Sequence, residues 1–387
     1  MVDGLERPHR QWRDQRDLAQ QLYERARRVV LQGRGQLSEE VWYTLRAHGA
    51  AGLLIDPERS LVACAPAPSN TPVSGRHGTA LQRTHLGEAL FTSIAVSLAE
   101  GVGVRSIARI FAVDKKTVLK VLVRAAEHVE RVTRSLVREL SVHECQLDEM
   151  WSFVGKKEAH LEPLESLAGV LGDAWIWVAF DAQHKVVLAH LVGKRTGPHA
   201  VALLQEVKRV TATMPSLFSS DQLDQYPEAL LQVYGLLVTP QRKPGPGRPP
   251  QPRRRAPRDL CYVQVVKEYE RSRVAKISRR VVFGDPKHIE QLLQQSAPSR
   301  TINTSYVERN NATVRHLDAR CNRKTYRFSK CRQNHQRQLV LCLGYYHLCR
   351  SHRTLSKRHC RPTTPFMSAG LTDHIWTMRE LLQFRAA

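Results

Sequence analysis

Three acidic residues, far apart along the chain, are of a type and setting that could do metal-dependent chemistry. Asp148 lies within residues 146–155, a stretch that reads as a strand. Cys145, Leu147, Trp151 and Phe153 fall on one parity, and Gly155 stops the run. Strand propensity disfavours a mid-strand carboxylate, so Asp148 is either an edge-strand aspartate facing water or a metal ligand at the centre of a sheet. Residues 217–221 form a second short apolar run ending on Asp221, and residues 305–311 open a helical stretch that carries Glu308. Two strand-borne aspartates and one helix-borne glutamate can hold two divalent cations, which activate a water or hydroxyl and stabilise the leaving oxygen in phosphodiester chemistry. Hard oxygen ligands suit Mg2+ or Mn2+. Neighbouring acids are weaker candidates: Glu149 alternates away from Asp148, Asp224 reads as a helix cap, and Asp181 and Asp285 read as turn residues.

Asp148 and Glu308 are 160 positions apart, and Asp221 lies 73 and 87 positions from them, so only a fold can unite the three. Residues 142–240 alternate accordingly. After the Asp148 strand come apolar, β-rich runs at 174–181 and 185–192 joined by a short turn, a helix at 199–210, a strand at 218–221 and a helix at 227–234. This is the order of an α/β, ribonuclease-H-like domain, a mixed sheet flanked by helices. Its first and fourth strands are adjacent, so Asp148 and Asp221 are expected to meet. Residues 262–266 and 281–283 read as a small extra hairpin around a basic stretch.

Upstream, residues 85–140 carry a helix-turn-helix pattern: a helix at 92–100, a break at Gly101-Val102-Gly103, a short helix at 105–111, a turn at 112–114 capped by Asp114, and a helix at 115–123. Ile107, Ala108, Phe111, Val118, Leu119 and Leu122 face inward. Lys115, Lys116, Thr117 and Lys120 face outward, as a recognition helix in a major groove requires; a three-helix bundle with a solvated basic face is the plain alternative. Residues 125–140 continue as a helix toward the sheet. The first 80 residues offer amphipathic helices at 17–31 and 38–46 and a Pro/Ser/Gly-rich linker at 65–78, but no clear role.

Composition narrows the partner. The 387-residue chain has a formal charge of +23, which favours a polyanion, nucleic acid before membrane. No stretch of about 18 apolar residues suggests a membrane span, and the opening residues carry no secretory h-region. The eight cysteines form no CxxC pair, which argues for reduced thiols in a cytosol. Cys331, Cys342, Cys349 and Cys360, with His347 and His352, have spacings that match no common zinc site. Two segments concentrate the positive charge. Residues 241–258 are Pro/Gly/Arg-rich, include Arg253, Arg254 and Arg255, and read as a mobile insertion or DNA-contacting arm. Residues 309–361 hold fourteen Lys or Arg against one acid, Asp318, with interleaved aromatics suited to unpaired DNA ends.

Taken in order, the motifs QLDEMWSFVGKK (146–157), FSSDQLDQY (218–226), RTINTSYVERNNATVRH (300–316), RKTYRFSK (323–330), HLCRSHRTL (347–355) and FMSAGLTDHIWTMRELL (366–382) resemble DDE transposases of the bacterial insertion-sequence-one group, over roughly residues 85 to 382. The resemblance implies a ribonuclease-H-like catalytic domain at 141–320 behind the helix-turn-helix domain, and a basic helical region at 321–387. It implies a catalytic and metal-binding set of Asp148, Asp221 and Glu308 with two Mg2+ or Mn2+ ions. Its expected substrates are insertion-sequence ends and target DNA, handled by a homo-oligomer on DNA in a bacterial, nucleoid-associated cytoplasmic setting. Arg309 and Arg315, beside and beyond Glu308, join the DNA-contacting candidates, and His316 is expected on the same helix face. A non-catalytic DNA-binding regulator and a metal nuclease that cuts without joining are the rival readings. Many relatives carry a zinc ribbon near the N-terminus; here only Cys64 stands there, and no ribbon is expected.

Overall fold

The computed structural model describes residues 76–240, 251–271 and 273–385. The helices expected at 17–31 and 38–46, most of the 65–78 linker and residues 241–250 of the insertion lie outside them. The described chain is a six-stranded mixed sheet with helices on both faces. Its strands are β1 (Glu144–Val154), β2 (Gly172–Asp181), β3 (Val186–Gly193), β4 (Leu217–Ser220), β7 (Tyr262–Glu270) and β8 (Arg273–Phe283), in the order β3-β2-β1-β4-β7-β8. A separate two-stranded ladder pairs β5 (Leu236–Val238) with β6 (Arg253–Arg255).

β1, β2 and β3 form an antiparallel meander, while β4 and β7 run parallel to β1 and require crossovers. That order is compatible with a ribonuclease-H-like fold, and the adjacency of first and fourth strands is as expected. The strands expected at 262–266 and 281–283 do pair as an antiparallel hairpin, Tyr262 opposite Phe283 and Val263 opposite Val281, but the hairpin is longer than expected and is not separate from the main sheet. The strand at 262–266 is the start of β7, bonded in parallel to β4, with β8 alongside it at the edge of the main sheet. Its apolar run could not reveal its partner, because strand pairing is set by contacts remote in sequence.

Both sheet faces are buried around β1 and β2, whereas the edge strand β8 is largely exposed. On one, Cys145, Leu147, Trp177 and Ala179 pack with Leu203 and Val207 of a helix at Gly197–Val210; on the other, Met150, Ile176, Val178 and Phe180 pack with Val307, Val314, Leu339 and Leu343. The burial parity of β1 therefore switches near Asp148: Cys145 and Leu147 are fully buried, whereas Trp151 and Phe153 are half-exposed and Phe153 rests on Phe328. Gly155 ends the strand in the left-handed region at φ +72, where a side chain is strained.

Ahead of the sheet lie α1 (Glu88–Ala99), α2 (Val104–Ile110) and α3 (Lys115–Leu136). The break between α1 and α2 depends on Gly101, at φ +76, where a Cβ would come 2.8 Å from the His316 carbonyl oxygen. Asp114 caps α3, accepting the Lys116 N–H at 2.7 Å. The helices expected at 115–123 and 125–140 are one helix, ending at Leu136. It is long because its apolar side, from Val118 through Val132, stays buried along its length. It packs against α9 (Arg332–Leu348), whose second half, from Gln338 to Leu348, is buried on nearly all sides and therefore central.

Candidate active site

The acids gather at the carboxyl end of β4. Leu147 of β1 is opposite Ser220 of β4, so one step further Asp148 stands beside Asp221, the first residue past the strand. Carboxylate oxygens of Asp148, Glu149 and Asp221 lie within 4.8 Å of one another. Glu149 thus corrects the expectation that it alternates away. Its side chain does leave β1 toward the opposite face from Asp148, but β4 has ended there, so Asp221 is reachable from both faces and the longer glutamate reaches it.

Glu308 arrives on α8 (Ser305–Leu317), and Gln146 docks that helix. The Gln146 side chain accepts the Val307 N–H at 3.0 Å and donates to the Asn303 carbonyl at 2.8 Å and to Glu144 Oε1 at 2.8 Å. The Val307 N–H belongs to the first turn of α8, where no intrahelical acceptor exists, so β1 supplies one. Gln146 is two residues before Asp148 and on the same strand side, which fixes Glu308 relative to the aspartate. One turn further along α8, Asn311 donates to Asp148 Oδ2 at 2.7 Å.

Four carboxylates therefore share this end of the sheet, and their charges are compensated unequally. Glu149 is paired with the Arg195 guanidinium, which also lies over the Trp175 ring at 4.8 Å, and it accepts the Tyr226 hydroxyl at 3.1 Å. Glu308 is paired with Lys267 of β7 and accepts the Thr304 hydroxyl at 2.7 Å. Asp148 has only neutral donors, Asn311 and the Glu149 N–H. Asp221 Oδ1 is buried with no hydrogen-bond partner among the described residues. Burial, and then the charge of Asp221, push Asp148 up to about 6. The same two causes push Glu149 up to about 7, and burial raises Asp221. Glu308 adds to the strain on both Asp148 and Asp221.

A hard divalent cation fits this arrangement. The donors are carboxylate oxygens, one of them is a buried acceptor, and neither Asp148 nor Asp221 has an ion-pair partner among the described residues. Glu308 is half-exposed and holds an exchangeable lysine, so it can turn toward such an ion.

Lys115, Lys116 and Lys120 are exposed at the start of α3, with Thr117 half-buried among them. Arg309 and His316 are exposed on α8. Arg315 is half-buried and donates to the carbonyls of Cys321 at 3.1 Å and Trp151 at 3.4 Å, a use that serves the fold. Arg253, Arg254 and Arg255 are exposed but form β6, where an irregular loop was expected; their backbone pairs with Leu236–Val238. Of the aromatics in the basic segment, Tyr346 is buried and Tyr326 is 98% exposed.

Arg195, Tyr226, Asn311 and Lys267 were not anticipated. Asn311 sits three positions after Glu308 on the same helix, a spacing that could have flagged it; nothing local marks the other three.

No family model and no curated protein matches the chain. A solved structure of the Mos1 transposase paired-end complex with left transposon end is similar at 12% identity over 53% of this chain and 68% of that one, with a TM-score of 0.15.

Proposed function

We propose that the chain is a DDE-type transposase with a ribonuclease-H-like catalytic domain, in which Asp148, Asp221 and Glu308 bind two Mg2+ or Mn2+ ions. The observation that carries this reading is the meeting of Asp148 and Asp221 at the β1–β4 junction, with the helix of Glu308 docked beside them by Gln146 and Asn311. Residues so far apart in sequence gain nothing structurally from crowding like charges together, and the strain they bear is the kind a functional site retains. The in-order motif resemblance supports the same assignment.

In this account the bound ions would activate the attacking oxygen and stabilise the leaving one. The chain's own residues do the rest. Asp148 and Asp221 provide rigid, buried oxygens; Asn311 orients the Asp148 carboxylate; Arg195 and Tyr226 hold Glu149 in place; Lys267 holds Glu308 until it is exchanged. Water cleaves the phosphodiester at the element end, leaving a 3′ hydroxyl, and that hydroxyl then displaces a 3′ oxygen in target DNA. No bond to the enzyme forms in either step. Lys115, Lys116, Thr117 and Lys120 would face DNA as part of a helix-turn-helix, Arg309 would contact the phosphate near Glu308, and Arg253, Arg254 and Arg255 would track the backbone. A homo-oligomer on DNA would bring two element ends together.

A strand-transfer assay using the element's own flanking ends and Mg2+ tests the proposal. Joined products are expected. Cleavage without joining would leave a metal nuclease, and binding without cleavage would leave a DNA-binding regulator.

A further inference from the structure

Outside the acidic cluster, a second group of potential ligands is closed inside the protein. α8 ends at Leu317, and Asp318 caps it. Three residues later comes Cys321, and His335 stands in the first turns of α9. Asp318 and His335 are 0% exposed and Cys321 is 3% exposed. One ligand atom from each lies within 4.8 Å of the others. The Cys321 thiol donates to Asp318 Oδ2 at 3.3 Å, while Asp318 also accepts the Arg320 N–H at 2.8 Å.

The decisive feature is His335. Both of its ring nitrogens are buried and neither has a hydrogen-bond partner among the described residues. A buried polar atom left unpaired is costly and in native proteins calls for an explanation. Burial makes the neutral imidazole the favoured form, which is the form that binds metal.

We infer that Asp318, Cys321 and His335 form a structural zinc site that ties the C-terminal end of α8 to α9. A thiolate, an imidazole and a carboxylate are a borderline-soft set, suited to Zn2+ and foreign to Mg2+. Tetrahedral ligands at zinc stand about 3.3–3.8 Å apart, given bond lengths of about 2.0–2.3 Å, so the observed spacing needs only a small contraction. On binding, the Cys321 thiol gives its proton to solvent and its sulfur to the metal. Cys342 is the candidate for the fourth corner. It is 1% exposed, it lies two turns beyond His335 on the same side of α9, and its thiol donates to the Leu317 carbonyl at 3.4 Å. With two thiolates, Asp318 and Zn2+, the nearby Arg320 guanidinium balances the charge.

Its ligands are of three types and come from the end of one helix, the turn after it and the start of another, so no single spacing in the sequence marks the site. It is independent of the transposase proposal, since it uses none of the residues assigned to DNA chemistry.

The test is metal content and cobalt spectroscopy on the full chain. Purified protein, dialysed against a weak chelator, is expected to retain about one zinc per chain, and Asp148→Asn should retain it equally. Cys321→Ser and His335→Asn should each lose most of it, with affinity down about 10-fold or more. Co2+ in place of zinc should give an intense thiolate-to-metal charge-transfer band that Cys321→Ser weakens and that Cys321→Ser combined with Cys342→Ser lacks. No retained zinc together with no such band overturns the inference, as does a Cys321→Ser variant that keeps both undiminished. Should that variant fail to fold, the cobalt spectrum and zinc content of the unaltered chain decide the matter.

Discussion

Asn311 donates a hydrogen bond of 2.7 Å to Asp148 Oδ2, joining the helix that carries Glu308 to the strand that carries the first aspartate. The two are 163 positions apart. With the Gln146–Val307 bond, it gives α8 two fixed points on β1, one on either side of Glu308.

Removing the first of these points should damage function more than folding. Asn311→Ala deletes the donor to Asp148 and leaves the carboxylate free to rotate. By analogy with the loss of groups that orient metal ligands, activity is expected to fall about 10- to 100-fold, with the far-UV spectrum unchanged. Steady-state cleavage rates on an element-end duplex check this; a rate within about 3-fold of the parent's, well short of that range, would assign Asn311 to packing alone.

The second point should act on stability. Gln146 is 0% exposed and satisfies Val307, Asn303 and Glu144 at once. Gln146→Leu strands these partners in the interior, at a cost of roughly 1–3 kcal/mol for an unpaired buried group. Urea denaturation should show that loss, and an unchanged midpoint would mean the helix is held otherwise.

The acidic end of the sheet predicts a pH dependence of definite sign. Asp148 is held up at about 6 and Glu149 at about 7, with Asp221 also raised. In the unfolded chain such carboxyls ionise near their ordinary values of about 4. Between about pH 4 and 7 the folded state therefore binds more protons, and the stability of the metal-free protein falls as pH rises through that window. A divalent cation prefers the ionised acids, so the thermal stabilisation by Mg2+ should be larger at about pH 7.5 than at pH 5, with proton release on binding near pH 6. Calorimetric titration in two buffers measures the protons; none released near pH 6 would contradict the assignment.

Lys115→Ala combined with Lys116→Ala removes two exposed charges at the start of α3. If that face meets DNA phosphates, the salt dependence of end binding should flatten by up to about two units of slope. An unchanged slope would leave the helix as part of a bundle with a solvated face.

Much of the sheet could be read from the chain, and the reasons differ by element. β2, β3 and the helix at Gly197–Val210 announce themselves through local periodicity. The neighbouring of Asp148 and Asp221 followed from element order alone. The role of β7 did not, because an apolar run does not name its partner. The same gap hid Glu149, Lys267 and Arg195: where β4 stops decides whether Glu149 reaches Asp221, and both cations come from strands and turns remote in sequence. The zinc ligands were missed for the same reason, since His335 meets Asp318 only when α9 packs beside the end of α8.

The central claim is that Asp148, Asp221 and Glu308 act as one metal-binding unit in DNA cleavage and joining. The most direct measurement compares the parent with Asp148→Asn, Asp221→Asn and Glu308→Gln in a single assay, following end binding by mobility shift and cleavage and strand transfer by gel. Each substitution keeps shape and removes one charge that the ions require. The account predicts that all three bind element ends as the parent does and that none cleaves or joins them. Near-normal cleavage by any one of the three, with binding intact, would contradict it.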